Sequence, residues 1–584
     1  MKRLFLILSA LAIFLVNCTG LNEGKRIENL TADSSLTAHT EIFKKGVVKI
    51  GNRVYSAIGY GLANSIMIEG TNGIIIVDTM ESVERGKDVL KAFREITKKP
   101  VQAIIYTHNH ADHTFGTKAF YDGTPPAIYA HEKTNYFVTE FVGKMSQSLN
   151  TRSIRMFGNT LDKKELINAG IGPFLGIDKN STMGYVAPTI VFPKILDLEA
   201  AGIKFQLIHA PGETDDQIYL WLPDEKILLS ADNFYWSFPN LYTIRGTVFR
   251  SLKQWYESLD IIRDLKPAYL VPSHGRPITG KDEIYRIITN YRDAIQYVHD
   301  QGIRGMNLGM TPDELVEHIK LPLHLAAEPY LQEFYGKVSW SLRSLYSGEL
   351  GWFSGDSADL QSLSKLQEAK LISRLAGGDD KLLRTAEELF NEKEYQGALQ
   401  LTGHLLYIDP DNSGAKKLRI KALTSLGSRE SNANARHWYL TEAIELRDNF
   451  VVKTANKPEP DTVRLFPLEN FFATLPVKLI TSKAVDVNKI AGISFPAENE
   501  AFTINIRNGV AEVREIASNI FNDGDYDIKV EADPQLWKEM LAGIRSPVMT
   551  FPKFRYLKGN AVSFGLFLSH FAPGKRKLEC YPYK

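Results

Sequence analysis

The chain has 584 residues, of which 44% are hydrophobic and 23% charged, an ordinary globular composition with room for about three to four domains. Lysine and arginine total 69 against 68 for aspartate and glutamate, so no basic excess is available for phosphates, which argues against a nucleic-acid partner. The two cysteines, Cys18 and Cys580, provide neither a disulfide framework nor a thiolate metal site.

The N-terminus has the pattern of an export signal. Lys2 and Arg3 precede a mostly apolar run at 4–16, which is too short for a membrane span of about 20 residues. The segment Leu15-Val16-Asn17-Cys18 resembles a bacterial lipobox, in which Cys18 becomes lipidated. We expect residues 1–18 to be a lipoprotein signal peptide and 19–44 a polar tether. The protein would then be periplasmic or at the cell surface, anchored to a membrane through Cys18; simple secretion is the alternative.

The densest cluster of metal-ligand side chains follows a predicted strand. The apolar segment 101–106 predicts a buried strand that runs directly into the sequence THNHADH, which contains three of the 13 histidines. In an extended segment His108 and His110 point the same way, while Asp112 and His113 reach a neighbouring point. Such a set fits two adjacent metal ions, because a single zinc ion accepts only about four ligands.

The pattern H-x-H-x-D-H at 108–113 resembles the signature of the metallo-β-lactamase superfamily. The resemblance implies an α/β fold of the αββα type, in which residues 61–68 and 73–78 form the opening hairpin. It also implies that Asp78 supports a metal ligand from behind; a cap on the hairpin turn is the alternative role. The resemblance also implies further ligands downstream, and three candidates each lie just past a short apolar strand, where functional side chains concentrate. The strands are predicted at 203–208, 227–229 and 269–271, and the candidates that follow them are Glu213, Asp232 and His274. Most of the superfamily has a histidine ligand where this chain has Glu213.

Glu213 narrows the resemblance to the alkyl sulfatases of this superfamily, the type that hydrolyses dodecyl sulfate. The segments Ala231-Asp232-Asn233 and NLYTIRG at 240–246 are also similar to that family, and the likeness covers residues 45–584. The family more often has glutamate at the position of Asp232, and we expect the shorter side chain to serve the same role. The likeness implies two zinc ions per subunit, one held by His108, His110 and Glu213, the other by Asp112, His113 and His274, with Asp232 bridging them.

This ligand set implies a chemistry. Two divalent ions a few ångströms apart lower the pKa of a shared water from about 16 to near neutrality. A sulfate ester is an anion, and the guanidinium of Arg245 is suited to bind its oxygens bidentately, with Asn240 as a neutral donor. The resemblance implies that both side chains, together with Tyr242, contact sulfate, and that Asp232, Asn240 and Arg245 are catalytic. Without the resemblance, a surface ion pair and a turn residue would describe Arg245 and Asn240 as well.

Several positions depart from the alkyl sulfatase pattern. Trp340 stands where the family commonly has a histidine, and Phe157 replaces a tyrosine. Phe238 and Pro239 stand where a histidine commonly precedes the Asn-Leu-Tyr run. Lys337 would either compensate for a missing charge or be a solvated surface group. These changes concern the groups around the leaving alcohol and leave the metal ligands intact.

Residues 301–455 change to helical periodicity, and apolar side chains recur at a period near 3.6 in three stretches. These are Leu382, Ala386, Leu389 and Phe390; Ala398, Leu399, Leu405 and Leu406; and Ala415, Leu418, Ala422 and Leu426. The arrangement resembles one tetratricopeptide-like unit. In alkyl sulfatases the region mediates dimerisation, and residues 433–447 fit its final helix. We expect a homodimer; packing on the chain's own catalytic domain is the alternative.

Residues 456–584 predict a separate α+β domain. Residues 502–507 alternate apolar and polar side chains ahead of an Asn508-Gly509 hairpin turn, and Asp533-Pro534 predicts the start of a helix. The domain resembles the sterol-carrier-like domain that ends alkyl sulfatases. Apolar residues near its end would line a tunnel for an alkyl tail or form ordinary core; they are Phe564, Leu566, Phe567, Leu568 and Phe571.

The sequence therefore predicts an exported binuclear-zinc hydrolase that cleaves alkyl sulfate esters to alcohol and sulfate, with its catalytic domain at 45–300. Two alternatives remain open. One is another ester or thioester hydrolase with the same metal site, such as a lactonase or a glyoxalase-like enzyme. The other is a lipid-binding surface lipoprotein with weak turnover.

Overall fold

The computed structural model describes residues 33–121, 123–142, 146–452 and 460–571. The predicted signal peptide with Cys18, most of the tether, Cys580 and the predicted domain boundary at 455/456 lie outside these ranges. Within the described ranges, none of the helices combines the length and the apolar character that a bilayer crossing requires.

Two β-sheets form the N-terminal half of the molecule. The strands of the first sheet are β1 Gly46–Ile50, β2 Val54–Ile58, β3 Ser65–Glu69, β4 Ile74–Val77, β5 Val101–Ile105, β6 Ala127–His131 and β7 Ile190–Phe192. They lie in chain order, antiparallel from β1 to β4 and parallel from β4 to β7. The strands of the second sheet are β8 Ile195–Ala200, β9 Ile203–His209, β10 Ile218–Leu222, β11 Ile227–Ala231, β12 Tyr269–Pro272 and β13 Ile278–Thr279. Their order is β13-β12-β11-β10-β9-β8, and only β11 and β12 pair in parallel.

The two sheets stack through their apolar faces. Alternate side chains of the first sheet, such as Ile66, share one core with side chains of the second, such as Leu220. Helix Val83–Arg94 covers the outer face of the first sheet, and helices Leu252–Leu265 and Lys281–Asn307 cover the second. This αββα arrangement confirms the predicted fold class. Shorter helices here are Ser34–His39, Ala111–Thr114, Thr134–Val142, Ser146–Met156 and Lys163–Leu166, with 3-10 turns at Thr40–Phe43 and Thr117–Phe120.

A run of helices forms the next region. They are Pro312–His318, Leu323–Ala326, Val338–Glu349, Lys365–Ala376, Asp379–Asn391, Tyr395–Ile408, Ser413–Arg429 and Ala433–Asp448, with 3-10 turns at Pro329–Leu331 and Ser357–Gln361. The three predicted apolar stripes lie on three consecutive helices of this run, and the predicted final helix is present. Helix Lys281–Asn307 runs across the predicted boundary at 300, because its buried side chains, from Ile284 to Val298, pack on the second sheet.

The final helix of this region, Ala433–Asp448, packs on the catalytic half of its own chain. Leu440 and Ile444 share a cluster with Leu161. The guanidinium of Arg155 donates to both carboxylate oxygens of Glu445 at 3.0 and 2.6 Å, and both side chains are buried. This helix therefore packs on the catalytic half of its own chain, as one of the two predicted arrangements requires.

The C-terminal region is an α+β domain. Its strands are β14 Asn488–Phe495, β15 Glu500–Arg507, β16 Val510–Ile516, β17 Ile528–Glu531 and β18 Arg555–Lys558, in the order β16-β15-β14-β17-β18. Its helices are Pro460–Leu465, Leu468–Ala473, Thr481–Ala484, Ser518–Asp523, Pro534–Leu541, Pro547–Thr550 and Ala561–Leu568, with 3-10 turns at Pro476–Lys478 and Phe551–Lys553. The predicted Asn508-Gly509 turn joins β15 to β16 with positive φ at both residues, and the Asp533 carboxylate caps its helix as predicted.

The predicted tunnel residues of this domain mostly form its core. Phe564, Phe567 and Leu568 are buried in one cluster with Trp537. Leu566 is instead 59% exposed. The ordinary-core alternative therefore holds for the three buried side chains, because the short sheet needs them to cover its apolar face.

Candidate metal centre

The ends of four strands bring the predicted ligands to one edge of the sandwich. His108 and His110 follow β5, and the short helix Ala111–Thr114 carries Asp112 and His113. Glu213, Asp232 and His274 follow β9, β11 and β12. The two sheets thus contribute ligands from loops that a rigid scaffold positions.

The ligand atoms form two groups. Those of His108, His110, Glu213 and Asp232 lie within 4.8 Å of one another, and so do those of Asp112, His113 and His274. The Oδ2 atom of Asp232 is 3.0 Å from His274 Nε2, 3.4 Å from His113 Nε2 and 3.7 Å from His108 Nε2. Asp232 therefore faces both groups, and all seven predicted ligands converge on one place.

The chemistry of these side chains fits bound cations. Burial, together with the nearby imidazole of His113, lowers the pKa of His108 well below its usual value, so its ring is neutral and has a free lone pair. Burial alone would raise the pKa of Asp232, but the imidazoles of His274 and His113 outweigh it and hold the pKa far down. Among the described residues, Asp232 Oδ1 has no hydrogen-bond partner although it is buried. Buried nitrogen and oxygen donors of this kind suit divalent metal ions.

A second layer of hydrogen bonds orients two of the histidines. His113 Nδ1 donates to Asp78 Oδ2 at 2.7 Å, and the same carboxylate accepts from Thr107 and Ser273. His274 Nδ1 donates to the carbonyl of Leu62 at 2.9 Å. Each bond leaves Nε2 free to face the centre. The structure therefore supports the role of Asp78 as a hydrogen-bond partner that orients a metal ligand, and not its alternative role as a cap on the hairpin turn.

Arg250 is a charged residue of this site that the sequence reasoning missed. Its Nη1 atom donates to Glu213 Oε1 at 2.8 Å and to the carbonyl of Asn240 at 2.6 Å, while Glu213 Oε2 faces His110 Nδ1 at 3.4 Å. Arg250 is only 3% exposed. Its position near NLYTIRG was visible in the sequence, but nothing there indicated that its charge is buried against Glu213.

The predicted anion-binding side chains lie in the loop that begins at Asn240, and one of them, Arg245, contacts a predicted metal ligand. Arg245 Nη2 is 3.0 Å from His110 Nε2. Asn240 is 1% exposed, yet neither atom of its side-chain amide has a hydrogen-bond partner among the described residues. Its backbone is held, because its N–H donates to the Tyr235 hydroxyl at 2.6 Å. Tyr242 lies half-buried in the same loop.

The residues that depart from the alkyl sulfatase pattern are packed or paired within the chain. Phe157 is buried in a cluster that also contains Tyr235 and Tyr335. Lys337 Nζ donates to both carboxylate oxygens of Glu430 at 3.0 Å and lies 5.7 Å from the Trp340 ring. The charge of Lys337 is therefore paired within the helical region, which does not support the idea that it compensates at the metal centre. Phe238 and Pro239 directly precede Asn240, and Phe238 is fully buried.

Comparisons with known proteins agree with this geometry. The family descriptions "Metallo-beta-lactamase superfamily" and "Alkyl sulfatase dimerisation" match residues 58–274 and 311–449. A linear primary-alkylsulfatase of a Pseudomonas species is 39% identical over 467 residues, covering 77% of this chain and 88% of the relative. An (R)-specific secondary-alkylsulfatase of Pseudomonas is 27% identical over 80% of this chain and 72% of its own length.

A solved structure is similar over nearly the whole molecule. The stereoselective inverting sec-alkylsulfatase Pisa1 from Pseudomonas superimposes with a TM-score of 0.86 at 25% identity, covering 94% of this chain and 88% of that one. The similarity includes the catalytic sandwich, the helical region and most of the C-terminal domain. On this sequence identity and shared architecture, the chain belongs to the alkylsulfatase family of the metallo-β-lactamase superfamily.

Proposed function

We propose that the protein hydrolyses alkyl sulfate esters to an alcohol and inorganic sulfate, using two zinc ions per subunit. The observation that carries the proposal is the position of the Arg245 guanidinium, 3.0 Å from the ring of His110 in one ligand group. The same loop carries the buried amide of Asn240, which has no hydrogen-bond partner among the described residues. A metal centre alone fits many hydrolases of this superfamily, whereas a guanidinium beside it and a buried amide in the same loop fit a tetrahedral oxyanion. The relatives named as alkylsulfatases support the same substrate class.

One ion would be held by His108, His110 and Glu213. The other would be held by Asp112, His113 and His274, and Asp232 would contribute to both. When bound, zinc ions would supply Lewis-acid chemistry, which lowers the pKa of water toward neutrality and offsets the charge of the ester. Arg250 would hold the Glu213 carboxylate aimed at its group through the 2.8 Å ion pair, and Asp78 would keep His113 in the tautomer that presents Nε2.

The position of His110 supports the role of Arg245. His110 Nδ1 lies 2.9 Å from His108 Nε2, so Nδ1 is the atom that shares a ligand group with His108. Arg245 Nη2 lies 3.0 Å from the other ring nitrogen of His110, Nε2, so the guanidinium reaches the edge of this ligand group. A sulfate ester bound there would accept from the guanidinium, and the buried amide of Asn240 would donate to the same anion.

Sulfate release from alkyl sulfates of four to twelve carbons, with and without a chelator, tests the activity. We expect release that stops on chelation and returns with zinc, and about two equivalents of metal per chain by elemental analysis. A parallel panel of lactones and thioesters tests the other hydrolase class, and their preferential hydrolysis would contradict the proposal. Binding of dodecyl sulfate without any sulfate release over hours would favour the lipid-binding alternative.

We also propose that the protein is a homodimer through its helical region. Trp352, Leu360, Leu363 and Leu375 are exposed by 73, 60, 53 and 78%, and large exposed apolar side chains so close in the chain are typical of an association surface. Light scattering should give twice the chain mass for the native protein. Trp352→Glu together with Leu363→Glu should give a monomer, whereas Val510→Glu, at an exposed apolar site of the C-terminal domain, should not.

Export and lipidation at Cys18 remain part of the proposal, supported by the N-terminal pattern. Metabolic labelling with a fatty-acid analogue, followed by fractionation, should find the label on the native protein in the membrane fraction. Cys18→Ala should lose both the label and the membrane association. An unlabelled, freely secreted native protein would instead support simple secretion. A lipid-binding, sterol-carrier-like role for the C-terminal domain would be tested separately, by titrating the protein with fluorescent fatty alcohols.

A further inference from the structure

We infer that Arg152 is a positioning residue, which holds the backbone of the loop that carries Arg245 and connects that loop to the helical region through Trp438. The inference rests on the proposed function, because it concerns how the anion-binding arginine is kept in place. We call residues 240–246 the Asn240 loop, Ser146–Met156 the support helix and Ala433–Asp448 the closing helix.

The guanidinium of Arg152 binds two consecutive carbonyls of the Asn240 loop. Its Nε atom donates to the carbonyl of Arg245 at 2.8 Å, and its Nη2 atom donates to the carbonyl of Ile244 at 2.6 Å. Charge-assisted hydrogen bonds of this length are stronger than neutral ones, and the planar fork makes their geometry specific. Because one of the two acceptors is the peptide of Arg245 itself, Arg152 restrains the point from which the Arg245 side chain extends.

The same helix makes a second contact with this loop. The hydroxyl of Thr243 donates to Met156 Sδ at 3.2 Å, one turn further along the support helix. Gly246, which ends the loop, has φ +104°, so the chain turns there in a conformation that favours glycine. Residues 243–245 of the loop are thus fastened to the support helix, and the chain turns just beyond Arg245.

The closing helix holds Arg152 from the other side. The guanidinium carbon of Arg152 lies 5.6 Å from the Trp438 ring, within the range of a cation–π contact. The ring nitrogens of neighbouring His437 lie 3.0 Å from the carbonyl of Met156 and 2.8 Å from that of Leu166. Burial lowers the pKa of His437 to about 4, so its neutral ring donates to one of these two carbonyls. The closing helix is therefore fixed against the support helix at the position where Trp438 meets Arg152. Through these contacts the helical region helps to place a side chain of the catalytic site.

Sulfate affinity measured by calorimetry on the zinc-loaded protein tests the role of Arg152. Arg152→Met should weaken inorganic sulfate binding roughly tenfold or more, since a displacement of about 1 Å at a site costs up to 10²-fold. Arg152→Lys keeps the charge but cannot bind both carbonyls, so it should lose nearly as much. The Michaelis constant for alkyl sulfates should rise more than the turnover number falls, while zinc content stays the same.

A double-mutant cycle separates positioning from other effects. In an Arg245→Ala background, Arg152→Met should change sulfate affinity less than about twofold, because the group it positions is gone. Equal losses in both backgrounds, or no loss in either, would overturn the inference. If Arg245→Ala alone leaves sulfate affinity unchanged, the proposed sulfate role of Arg245 fails; if it weakens binding and Arg152→Met does not, only the present inference fails.

Adjacent aromatic residues of the closing helix provide a matched control. Trp438→Leu should weaken sulfate binding in the same direction as Arg152→Met, though by less, since the two carbonyl bonds remain. Tyr439 packs instead with the apolar cluster inside the helical region, so Tyr439→Leu should lower thermal stability without changing sulfate affinity. Equal effects of the two substitutions on sulfate affinity would show that Trp438 has no specific link to the loop.

Discussion

Arg250 and Glu213 form an ion pair 2.8 Å long in which the two side chains are only 2% and 3% exposed. The same Nη1 atom of Arg250 reaches the carbonyl of Asn240. One buried guanidinium therefore joins a predicted zinc ligand to the loop that carries the predicted sulfate-binding residues. A buried charge whose partner is removed is strongly unfavourable, so this pair gives a sharp test of how the site is built.

Arg250→Met should leave the Glu213 carboxylate buried without its partner. We expect the metal-free protein to lose on the order of 3 to 5 kcal/mol of unfolding free energy. Zinc affinity should fall roughly 10- to 100-fold, because Glu213 loses the group that orients it. Urea denaturation and competitive zinc titration measure the two effects. Arg286→Met, at an ion pair that is about half exposed, is the control and should cost less than about 1 kcal/mol.

Asn240→Leu should separate stability from activity. The native amide is buried with no hydrogen-bond partner for either atom among the described residues, so an apolar side chain of similar shape is expected to leave the melting temperature unchanged or higher. Sulfate affinity and kcat/KM for alkyl sulfates should fall by at least about tenfold, since a hydrogen-bonding group is lost. A large fall in melting temperature together with normal sulfate affinity would mean that Asn240 is a structural residue.

The buried carboxyl of Glu81 is expected to make the unfolding free energy of the protein depend on pH. Burial raises the pKa of its carboxyl from 4.5 to about 7, although Oε1 accepts from the backbone of Leu62 and Gly176. Between these pH values the native state keeps a proton that the unfolded chain has released. The unfolding free energy attributable to Glu81 therefore falls as pH rises from 4.5 to 7, by about 3 kcal/mol in total.

Glu81→Gln should remove this dependence while its amide oxygen still accepts from the two backbone groups. Urea denaturation of the metal-free protein at pH 5 and pH 8 measures it: the variant should gain stability relative to the native protein at pH 8 and little at pH 5. Glu257→Gln, on the exposed side of its helix, shows what the same substitution does at the surface. Parallel pH profiles of the native protein and Glu81→Gln would contradict the assignment.

Asp78→Asn should weaken one metal site more than the other. The neutral amide lowers the basicity of His113, whose Nδ1 it faces, so the group of Asp112, His113 and His274 should bind zinc roughly 10- to 100-fold more weakly. After dialysis against dilute zinc, elemental analysis should find close to one equivalent of zinc per chain in Asp78→Asn and more than one in the native protein. Asp197→Asn, at an exposed strand position, should not change the metal content.

Much of the site could be predicted because its parts are local in the sequence. The spacing of His108, His110, Asp112 and His113 and the strands before Glu213, Asp232 and His274 are patterns within a few residues, and all seven side chains converge in the structure. Of the residues that support the site, Asp78 was predicted, but Arg250 and Arg152 were missed for the opposite reason. Arg250 lies 37 residues from Glu213, and Arg152 lies 93 from the carbonyl it binds.

The same distinction applies to the helical and C-terminal regions. Periodicity predicted the helices and the apolar residues that face inward, but not the surfaces against which those residues pack. The sequence therefore left open whether Ala433–Asp448 packs against a partner subunit or against its own chain. Local patterning by itself determined strands, helices, the histidine and aspartate cluster at 108–113 and the Asn508-Gly509 turn, because backbone geometry and hydrophobic periodicity act over one or two turns of chain. The αββα layers followed from the resemblance to the metallo-β-lactamase superfamily. Only the tertiary structure decided which buried charges meet, because desolvation and pairing depend on neighbours that folding brings together from distant parts of the sequence.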